Sequence, residues 1–530
     1  ITLNSGGSLA SVSILSLPDS TLVLQSGLSL TGATLKAKNT TFTTNANALL
    51  SLNNSSILEV EGTQNISGLF SDNTSTLRLT ADTELNNNAW FNVNKLDLAD
   101  FALTLDDNMS RLSVAQLVTL DAAGEKIVTG AADLSLNGGI SATAGTLSST
   151  GGTLSLPDGA TLAIGASFST SNTTLNLGGS LAVADTWTST STSISLTTDN
   201  ASLSSTVALS LASLQTNGHD FELASATSDL TIENAFALSG GETLSTQGAD
   251  LIFESSANIS PGSTLDASGG GKLEFQQGGT DNGTINAENA TFKIGAAYAV
   301  SGTLKTNGST TWTLGSVNLD LSGGTLELGG TKVVVLDKVL TDNLTTFKLG
   351  EDATVTRNEG FTLGGLDLDN STFTLGSATT DLTLDIGDSS DNGSDSGSPP
   401  GTLATQTADL TVVGTVNLSS GTTISSTDGT LTFGEGLSVN GGTLNLLDST
   451  LAVGSSFSNT GDNLTMTGTG LKLLSNLSLR SNSAVTFDSY QPNDFNLVLS
   501  DNSTGNISLG TITLASENIE VLGGTLSLAG

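Results

Sequence analysis

Three aspartates near residue 390 are the acids best placed to do chemistry. Asp388, Asp391 and Asp395 stand in the Asp-, Gly-, Ser- and Pro-rich run 385–401, which also holds two of the six prolines. A hard cation needs several carboxylate and carbonyl oxygens on a flexible loop, so these residues are candidate Ca²⁺ ligands. Their spacing differs from that of an EF-hand, and the bidentate Glu is missing. A solvated loop is the favoured interpretation, Ca²⁺ binding is the alternative, and no cofactor is required.

Catalytic residues are hard to assemble from this sequence. The only histidine, His219, lies in the turn-like segment 215–220, and the chain has no cysteine. Because no serine elbow accompanies His219, we expect a surface histidine rather than a catalytic triad. Metal clusters built on His or Cys ligands are excluded by count.

A polysaccharide lyase or hydrolase is the enzymatic alternative, because many such enzymes are parallel β-helices. Their chemistry needs clustered acids, or acids beside Arg or Lys, on neighbouring coils. The four arginines are widely separated in sequence, and pairs such as Asp250 with Glu274 arise by chance among 51 acidic residues. The sequence therefore predicts a protein that is not an enzyme.

The charge balance excludes one class of partner. The 51 acidic and 15 basic residues give a net charge of -36, which disfavours nucleic acid. Charged residues are only 12% of the chain, so most of the surface must be neutral Ser, Thr and Asn. The acids either keep the protein soluble or collect divalent cations. No apolar run approaches the roughly 18 residues that a membrane span needs.

An apolar residue recurs about every twenty residues, which is the period of one solenoid coil. One run steps by 21, 22, 19 and 20 residues and another by 21, 20 and 20. A third, in the first half, steps by 19, 21, 17, 20, 21 and 19. Their members are Leu230, Leu251, Leu273, Phe292 and Trp312; Leu410, Leu431, Leu451 and Leu471; and Leu77, Leu96, Leu117, Leu134, Leu154, Leu175 and Ile194.

The local pattern around these positions alternates, as it does in short half-buried strands. Residues 153–156, 174–177 and 325–328 place Leu on one face and small polar groups on the other. Gly-Gly pairs such as Gly151-Gly152 and Gly323-Gly324 precede these strands, where a residue without Cβ can take the positive φ of a tight corner. No stretch combines helical spacing with a cap, so we expect essentially no helix.

These observations predict an all-β fold, a single long parallel β-helix (β-solenoid) with coils of about 20 residues. We expect solenoid over residues 1–387, an Asp-, Gly-, Ser- and Pro-rich loop or hinge over 388–401, and continuing solenoid over 402–530. Both ends already follow the coil pattern. End-to-end self-association, or continuation of the same chain, is therefore expected.

Aromatic residues do not form an evident sugar platform, since they are only 4% of the chain. Trp312 falls on a predicted core ladder, and Trp90, Trp187, Tyr298 and Tyr490 are isolated in sequence. Cell-surface glycans remain a candidate partner.

The Gly-Gly-Thr-Leu-x-Leu units, the twenty-residue ladder, the acidic composition without cysteine and the Thr/Ser/Asn surface resemble the shafts of large secreted bacterial proteins. These are the filamentous-haemagglutinin-like adhesins and autotransporter passengers. The resemblance covers nearly the whole chain, is architectural and transfers no functional residue. It implies export, display outside a bacterial cell, and use as a stalk or adhesive fibre.

The sequence thus predicts an extracellular structural β-solenoid, the subunit or shaft of a surface filament, sheath or adhesin. A polysaccharide-binding or polysaccharide-cleaving β-helix protein is the alternative.

Overall fold

A computed structural model describes most of the chain. The described residues are 1–10, 13–44, 48, 50–67, 70–71, 74–87, 90–107, 111–157, 161–164, 167–183, 187–314, 317–329, 333–335, 337–342, 344–369, 371–385, 401–461, 464–500, 502–512, 514 and 517–528. The chain divides into two compact units, Ile1–Gln277 and Gly278–Gly530. Each unit is a parallel β-solenoid, as the periodicity predicts.

Strands of the first unit pair in parallel sheets that run from coil to coil. The first sheet contains Thr2–Leu3, Ile14–Pro18, Thr21–Leu24, Thr34–Lys38, Thr41–Thr44, Ile57–Ser67, Thr76–Asn87, Lys95–Asp97, Ala102–Leu105, Lys126–Thr129, Thr146–Thr150, Ser167–Ser171 and Trp187–Thr190. The second contains Gly7–Leu9, Leu28–Thr31, Leu50–Asn53, Phe70–Ser71, Trp90–Val93, Arg111–Val114, Asp133–Leu136, Thr153–Leu156, Thr174–Leu177, Ser193–Leu196 and Ser213–Gln215. The third contains Val118–Leu120, Ile140–Ala142, Thr161–Ile164, Ser180–Val183, Ala201–Ser205, Phe221–Leu223, Thr243–Ser245 and Thr264–Asp266. Two shorter groups are Leu209–Leu211, Leu230–Ile232, Leu251–Phe253 and Lys272–Phe275, and Phe236–Leu238 with Ala257–Ile259.

Strands of the second unit follow the same plan. Its first three groups are Gly279–Asp281, Tyr298–Val300, Leu319–Asp320 and Val339–Leu340; Thr284–Asn286, Thr303–Thr306, Thr325–Leu328, Thr346–Leu349 and Gly365–Asp367; and Thr291–Ile294 with Thr311–Thr313. One sheet contains Val333–Val335, Ala353–Thr356, Thr372–Leu375, Thr402–Gln406, Thr423–Thr427, Thr443–Leu447 and Leu464–Thr467. Another contains Phe361–Leu363, Leu382–Asp385, Leu410–Val413, Thr430–Phe433, Thr450–Val453, Gly470–Leu473, Val485–Gln491, Asn506–Ile512 and Thr525–Leu528. The last contains Thr415–Leu418, Gly436–Val439, Ser456–Asn459, Leu477–Ser481, Leu497–Leu499 and Ile519–Val521.

A regular coil contributes three strands, and each strand pairs with its equivalent in the next coil. Thr430–Phe433, Gly436–Val439 and Thr443–Leu447 form one such coil, and all three pair in parallel with the strands of the coil that follows. No described residue is helical, so no described helix could span a membrane. The predicted fold class is confirmed.

Like residues meet across most coil boundaries because the alternation keeps its register. Thr153, Leu154 and Leu156 pair with Thr174, Leu175 and Leu177, and the leucines are buried while the threonines face outward. The predicted steps from Leu410 to Leu471 are all register pairs. Phe253 and Phe275 are register partners that stack in the same way, with ring centroids 5.2 Å apart, and Phe236 from a neighbouring sheet stacks on Phe253 at 5.0 Å.

The ladder predicted from Leu77 to Ile194 is wrong at Leu117, because its members belong to two different sheets. Leu77 does pair with Leu96, but in the first sheet, whereas Leu134 belongs to the second. The residue that precedes Leu134 in its ladder is Leu112, and Leu117 is 51% exposed. Leu117 lies 17 residues before Leu134 and Leu112 lies 22 before it, so both are within a few residues of the period and the period alone did not distinguish them.

The predicted Gly-Gly corners occur, and the two glycines of a pair are required for different reasons. The first has positive φ, with values of 88° at Gly151 and 79° at Gly323. The second lies against the neighbouring coil, since a Cβ would stand 2.2 Å from the Ala132 carbonyl oxygen at Gly152 and 2.1 Å from that of Val300 at Gly324. A corner therefore needs both freedom in φ and space for the backbone of the next coil.

Residues 386–400 lie outside the described part of the chain, so the predicted loop or hinge at 388–401 stays a prediction apart from its last residue. The strands on either side of this segment pair directly. Thr372 is in register with Thr402, and Leu382 with Leu410, which makes steps of 30 and 28 residues instead of about 20.

Truncating a ladder leucine should destabilise the second unit. Leu431 is fully buried between Leu410 and Leu451. We expect Leu431→Ala to lower the free energy of unfolding by about 2–5 kcal/mol, measured by urea denaturation, because it leaves a cavity in the stack. Leu447→Ala, at a position that is 44% exposed, is the matched control and should change little. Equal effects of both substitutions would contradict the ladder as the source of stability.

Candidate functional site

The candidate Ca²⁺ ligands Asp388, Asp391 and Asp395 lie outside the described residues, so that site stays a prediction. Among the residues that the structure describes, no group of three or more His, Asp or Glu side chains is arranged to hold a metal ion.

His219 lies in the predicted turn and has a carboxylate partner. Its Nδ1 is 3.0 Å from Asp199 Oδ1, and 30% of its side chain is exposed. The pair joins consecutive coils, since the two residues are 20 positions apart. The histidine therefore ties one corner to the next.

The acid pair Asp250 and Glu274 is bridged by a lysine. Lys272 Nζ lies 3.1 Å from Glu274 Oε2 and 3.9 Å from Asp250 Oδ2. Asp250 Oδ1 also accepts the Lys272 backbone N–H at 2.8 Å. Both carboxylates thus have structural partners of opposite charge.

Many acidic side chains bind the backbone of the next coil, a role that the sequence analysis missed. Asp229 Oδ1 accepts the N–H of Asp250 at 2.9 Å, and Asp381 Oδ1 accepts that of Asp409 at 3.0 Å. Asp409 Oδ1 in turn accepts the N–H of Thr430 at 2.7 Å. The same contact is made by Asp82, Asp107, Asp133, Asp220 and Asp352, and by Asn476 and Asn496. The signal in the sequence is an acid or Asn that recurs just before a strand, about one coil apart.

The ionised form of these acids is stabilised where several donors converge. Burial tends to raise the pKa of Asp342, but hydrogen bonds from the N–H groups of Leu344 and Gly323 and from Thr345 lower it overall. The oxygen involved is Oδ1, at 3.0 Å from Leu344 N and 3.1 Å from Gly323 N. Part of the acidic excess is therefore used to satisfy corner amides.

Basic residues separated in sequence are brought into alternating charge ladders. Lys36, Glu59, Arg78 and Asp97 are register partners in successive strands, and Lys305, Glu327, Lys348 and Asp367 repeat the order in the second unit. Lys36 Nζ lies 2.8 Å from Glu59 Oε2, and Lys305 Nζ lies 3.0 Å from Glu327 Oε2. Exposed pairs of this kind stabilise little individually, but the alternation avoids like charges on adjacent coils.

A groove of about 320 Å³ lies beside the first ladder. It is lined by Ser16, Leu17, Pro18, Lys36, Ala37, Lys38, Glu59, Glu61 and Thr80. Lys36 pairs with Glu59, and Lys38 Nζ lies 2.7 Å from Glu61 Oε1. Because both of its lysines are already paired with carboxylates, the groove has little charge to offer a ligand.

A carboxyl group stands at a core position in the second unit. Asp281 is fully buried; its Oδ1 accepts the Gly283 N–H at 2.9 Å, and Oδ2 has no hydrogen-bond partner among the described residues. Burial raises the pKa of Asp281 to about 7, against the opposing effect of the Gly283 hydrogen bond. Tyr298, in the adjacent strand, has its pKa raised by its own burial and by the charge of Asp281.

The aromatic residues separate into buried and exposed groups. Trp187 is 7% exposed, lies 5.0 Å from Phe168 and donates its indole N–H to Thr170 Oγ1 at 2.8 Å. Trp312 pairs with Phe292 as predicted but is only partly buried. Trp90 differs from both, because it is 59% exposed and carries the Arg111 guanidinium 5.3 Å from its ring centroid.

Trp90 begins an outward surface with very few charges, which we call the polar face. It comprises the first and third residues of seven consecutive strands in the second sheet of the first unit, positions that alternate with core residues. Ser113 and Ser135 are buried, and the other members are partly or fully exposed. They are Trp90, Asn92, Arg111, Ser113, Asp133, Ser135, Thr153, Ser155, Thr174, Asn176, Ser193, Ser195, Ser213 and Gln215. Arg111 and Asp133 are its two charged residues, and their signs cancel. The sequence analysis missed this surface because Trp90 seemed isolated; its coil partners are about 20 residues away.

Several polar groups on this face are held by neighbouring coils. Ser213 Oγ donates to Ser193 Oγ at 2.8 Å. Asn217 Nδ2 donates to Ser195 Oγ at 3.0 Å, and Asn137 Nδ2 donates to Ser113 Oγ at 3.0 Å. The polar face is thus an ordered array of hydroxyl and amide groups, and it is the candidate functional site of this chain.

The corner contacts predict a difference between two substitutions at Asp409. Asp409→Ala removes the acceptor for the Thr430 N–H, and we expect the free energy of unfolding to fall by about 1 kcal/mol. Asp409→Asn keeps an acceptor oxygen and should lose less, as measured by urea denaturation of both variants. If the two variants were equally stable, the carboxylate would not act as a backbone acceptor.

The buried carboxyl predicts a pH dependence of stability. In the folded protein the pKa of Asp281 is about 7, above the ordinary value of 3.8. Its contribution to the free energy of unfolding is therefore complete below about pH 4 and is lost as pH rises through 7. Between pH 4 and pH 8 we expect the free energy of unfolding of the original chain to fall by on the order of 4 kcal/mol through Asp281. Asp281→Asn should remove this fall. Thermal unfolding at several pH values measures this.

Asp320→Asn is the matched control for Asp281→Asn. Asp320 Oδ1 likewise accepts an N–H two residues ahead, from Ser322 at 3.0 Å, but its side chain is partly exposed. The control should keep the pH dependence of the original chain. An unchanged pH profile in Asp281→Asn would contradict the assignment.

With this geometry in view, the chain was compared with protein-family models, with curated proteins and with solved structures, and none of the three comparisons gave a match.

Proposed function

We propose that this chain is a non-catalytic structural β-solenoid displayed outside a bacterial cell, as the subunit or shaft of a surface filament, sheath or adhesin. The observation that supports this most directly is the in-register pairing of equivalent strands from coil to coil within each unit. A stack of this kind gains its stability from repetition along one direction and needs no enclosed active site.

The pattern of contacts suits a mechanical role. Backbone hydrogen bonds, leucine ladders and corner acids such as Asp229 and Asp409 all join one coil to the next. Pulling two coils apart must break several of these contacts together. No cofactor is required; Ca²⁺ is proposed only as an optional ligand of the acidic groups.

An exterior location fits the chemistry of the chain. It lacks cysteine, so an oxidising environment has no thiol to modify. Its surface combines small hydroxyl groups with a large excess of acids over bases, which keeps neighbouring molecules in solution. The resemblance to secreted bacterial shafts supports the same location.

Polysaccharide binding is the second candidate function, and the polar face is the observation that favours it. Cleavage is not favoured, because Glu274, the acid paired most closely with Lys272, is only 6% exposed and so is covered from a polymer at the surface. We expect no release of oligosaccharides when the protein is incubated with acidic or neutral polysaccharides. Release of reducing ends above a heat-inactivated control would contradict the non-catalytic role.

The filament and shaft forms differ in assembly, which electron microscopy of the purified chain can measure with and without millimolar Ca²⁺. An exposed parallel strand can pair with a strand of another copy, so the filament form predicts fibres with a regular axial repeat. The shaft form predicts separate particles. Fibres that appear only with Ca²⁺ would give the acids a cation-binding role.

A pair of charge reversals sharpens this test. Glu520 lies in the strand Ile519–Val521, while Glu254 is exposed at a corner far from either end of the chain. Glu520→Lys should abolish fibres under the filament form, and Glu254→Lys should not. Equal effects of the two substitutions would contradict assembly through terminal coils.

A further inference from the structure

The polar face combines three features. It starts at a tryptophan that is 59% exposed, it continues as hydroxyl and amide groups, and its two charges are opposite. The remainder of the chain carries a net charge of -36. A single exposed apolar side chain is ordinary, but this one heads a track across seven coils in which Arg111 and Asp133 are followed by four coils without a charge.

The Trp90 side chain is held in place by Arg111. Arg111 is its register partner in the next coil, and the guanidinium lies within the roughly 6 Å range of a cation–π contact. The contact limits the rotamers of the indole, so little entropy is lost when a second group packs on its open surface. Indole rings present a negative face, which attracts the weakly positive C–H groups of a sugar ring.

The track beyond Trp90 suits hydroxyl groups. Thr153, Thr174 and Ser193 follow one another at successive coils, about 4.8 Å apart, a spacing comparable to one sugar unit of an extended chain. Their hydroxyls both donate and accept hydrogen bonds, as sugar hydroxyls do. An uncharged polymer meets no repulsion from the acidic protein. Between Trp90 and Thr153 it crosses Arg111 and Asp133, whose charges are opposite.

We propose that the polar face binds an uncharged, extended glycan, with Trp90 as the stacking platform and Thr153, Thr174 and Ser193 as partners for successive sugars. This inference deepens the proposed function, on which it depends only for its biological setting. The ligand is either a soluble oligosaccharide or the surface of an insoluble polymer of the same sugar.

The test is isothermal titration of the full chain with an uncharged gluco-oligosaccharide hexamer, together with co-sedimentation on the insoluble glucan. Binding in either arm supports the proposal and identifies the source of the ligand. We expect Trp90→Ala to weaken binding about tenfold. Trp312→Ala, which removes a partly buried tryptophan of the other unit, should bind as the original chain does.

Two further variants test the track and the folding of the site. Thr174→Asp places a charge on the polar face and should weaken binding of the hexamer. It should not change binding of a disaccharide that reaches only Trp90. Trp90→Phe keeps an aromatic ring and should retain most of the affinity, which separates stacking from a folding defect. Circular dichroism of each variant should match that of the original chain.

Three outcomes would overturn the inference. They are absence of millimolar binding in both arms, full affinity in Trp90→Ala, and a preference for a polyanionic glycan of the same length. Titration does not depend on assembly. Fibres without glycan binding would contradict this inference alone, and binding without fibres would contradict only the filament form of the proposed function.

Discussion

Every coil in this protein must satisfy the polar backbone groups of its neighbour, and the rest of the structure follows from that constraint. A strand of three or four residues buries too little to stand alone, so parallel pairing with the next coil is its source of stability. The pairing sets the spacing, the spacing aligns like residues, and aligned leucines such as Leu410, Leu431 and Leu451 fill the core. Corners are constrained in the same way, which is why Gly152 and Gly324 have no room for a Cβ.

The acidic composition takes on a structural meaning in this setting. Corner amides point along the stack, and an aspartate one coil away accepts them, as Asp229 and Asp409 do. Opposite charges alternate where basic residues occur, as from Lys36 to Asp97. Solubility and coil cohesion are therefore served by the same side chains. Asp281 is the exception, because its carboxyl occupies a core position and couples stability to pH.

The proposed function rests on the side chains that face outward from the stacked coils. Paired charges occupy the groove near Lys36 and Lys38, and a lysine bridges the acid pair at Asp250 and Glu274. The polar face is different, since an exposed indole and ordered hydroxyls remain available there. We therefore propose a structural shaft that also holds a neutral glycan along one side.

The sequence by itself determined the fold class, because a twenty-residue period with two-residue alternation is compatible with little else than stacked parallel strands. It also determined parts of several core ladders, such as the one from Leu410 to Leu471, and the positive φ of residues such as Gly151. It did not determine which neighbouring apolar residue belongs to which sheet, as Leu112 and Leu117 illustrate, because both satisfy the period. Only the tertiary structure decided that Trp90 lies beside Arg111, that Asp409 binds the Thr430 amide and that Asp281 is buried. The first two contacts join residues about one coil apart in sequence, and Asp281 is a polar residue at a position where the alternating pattern places a core side chain.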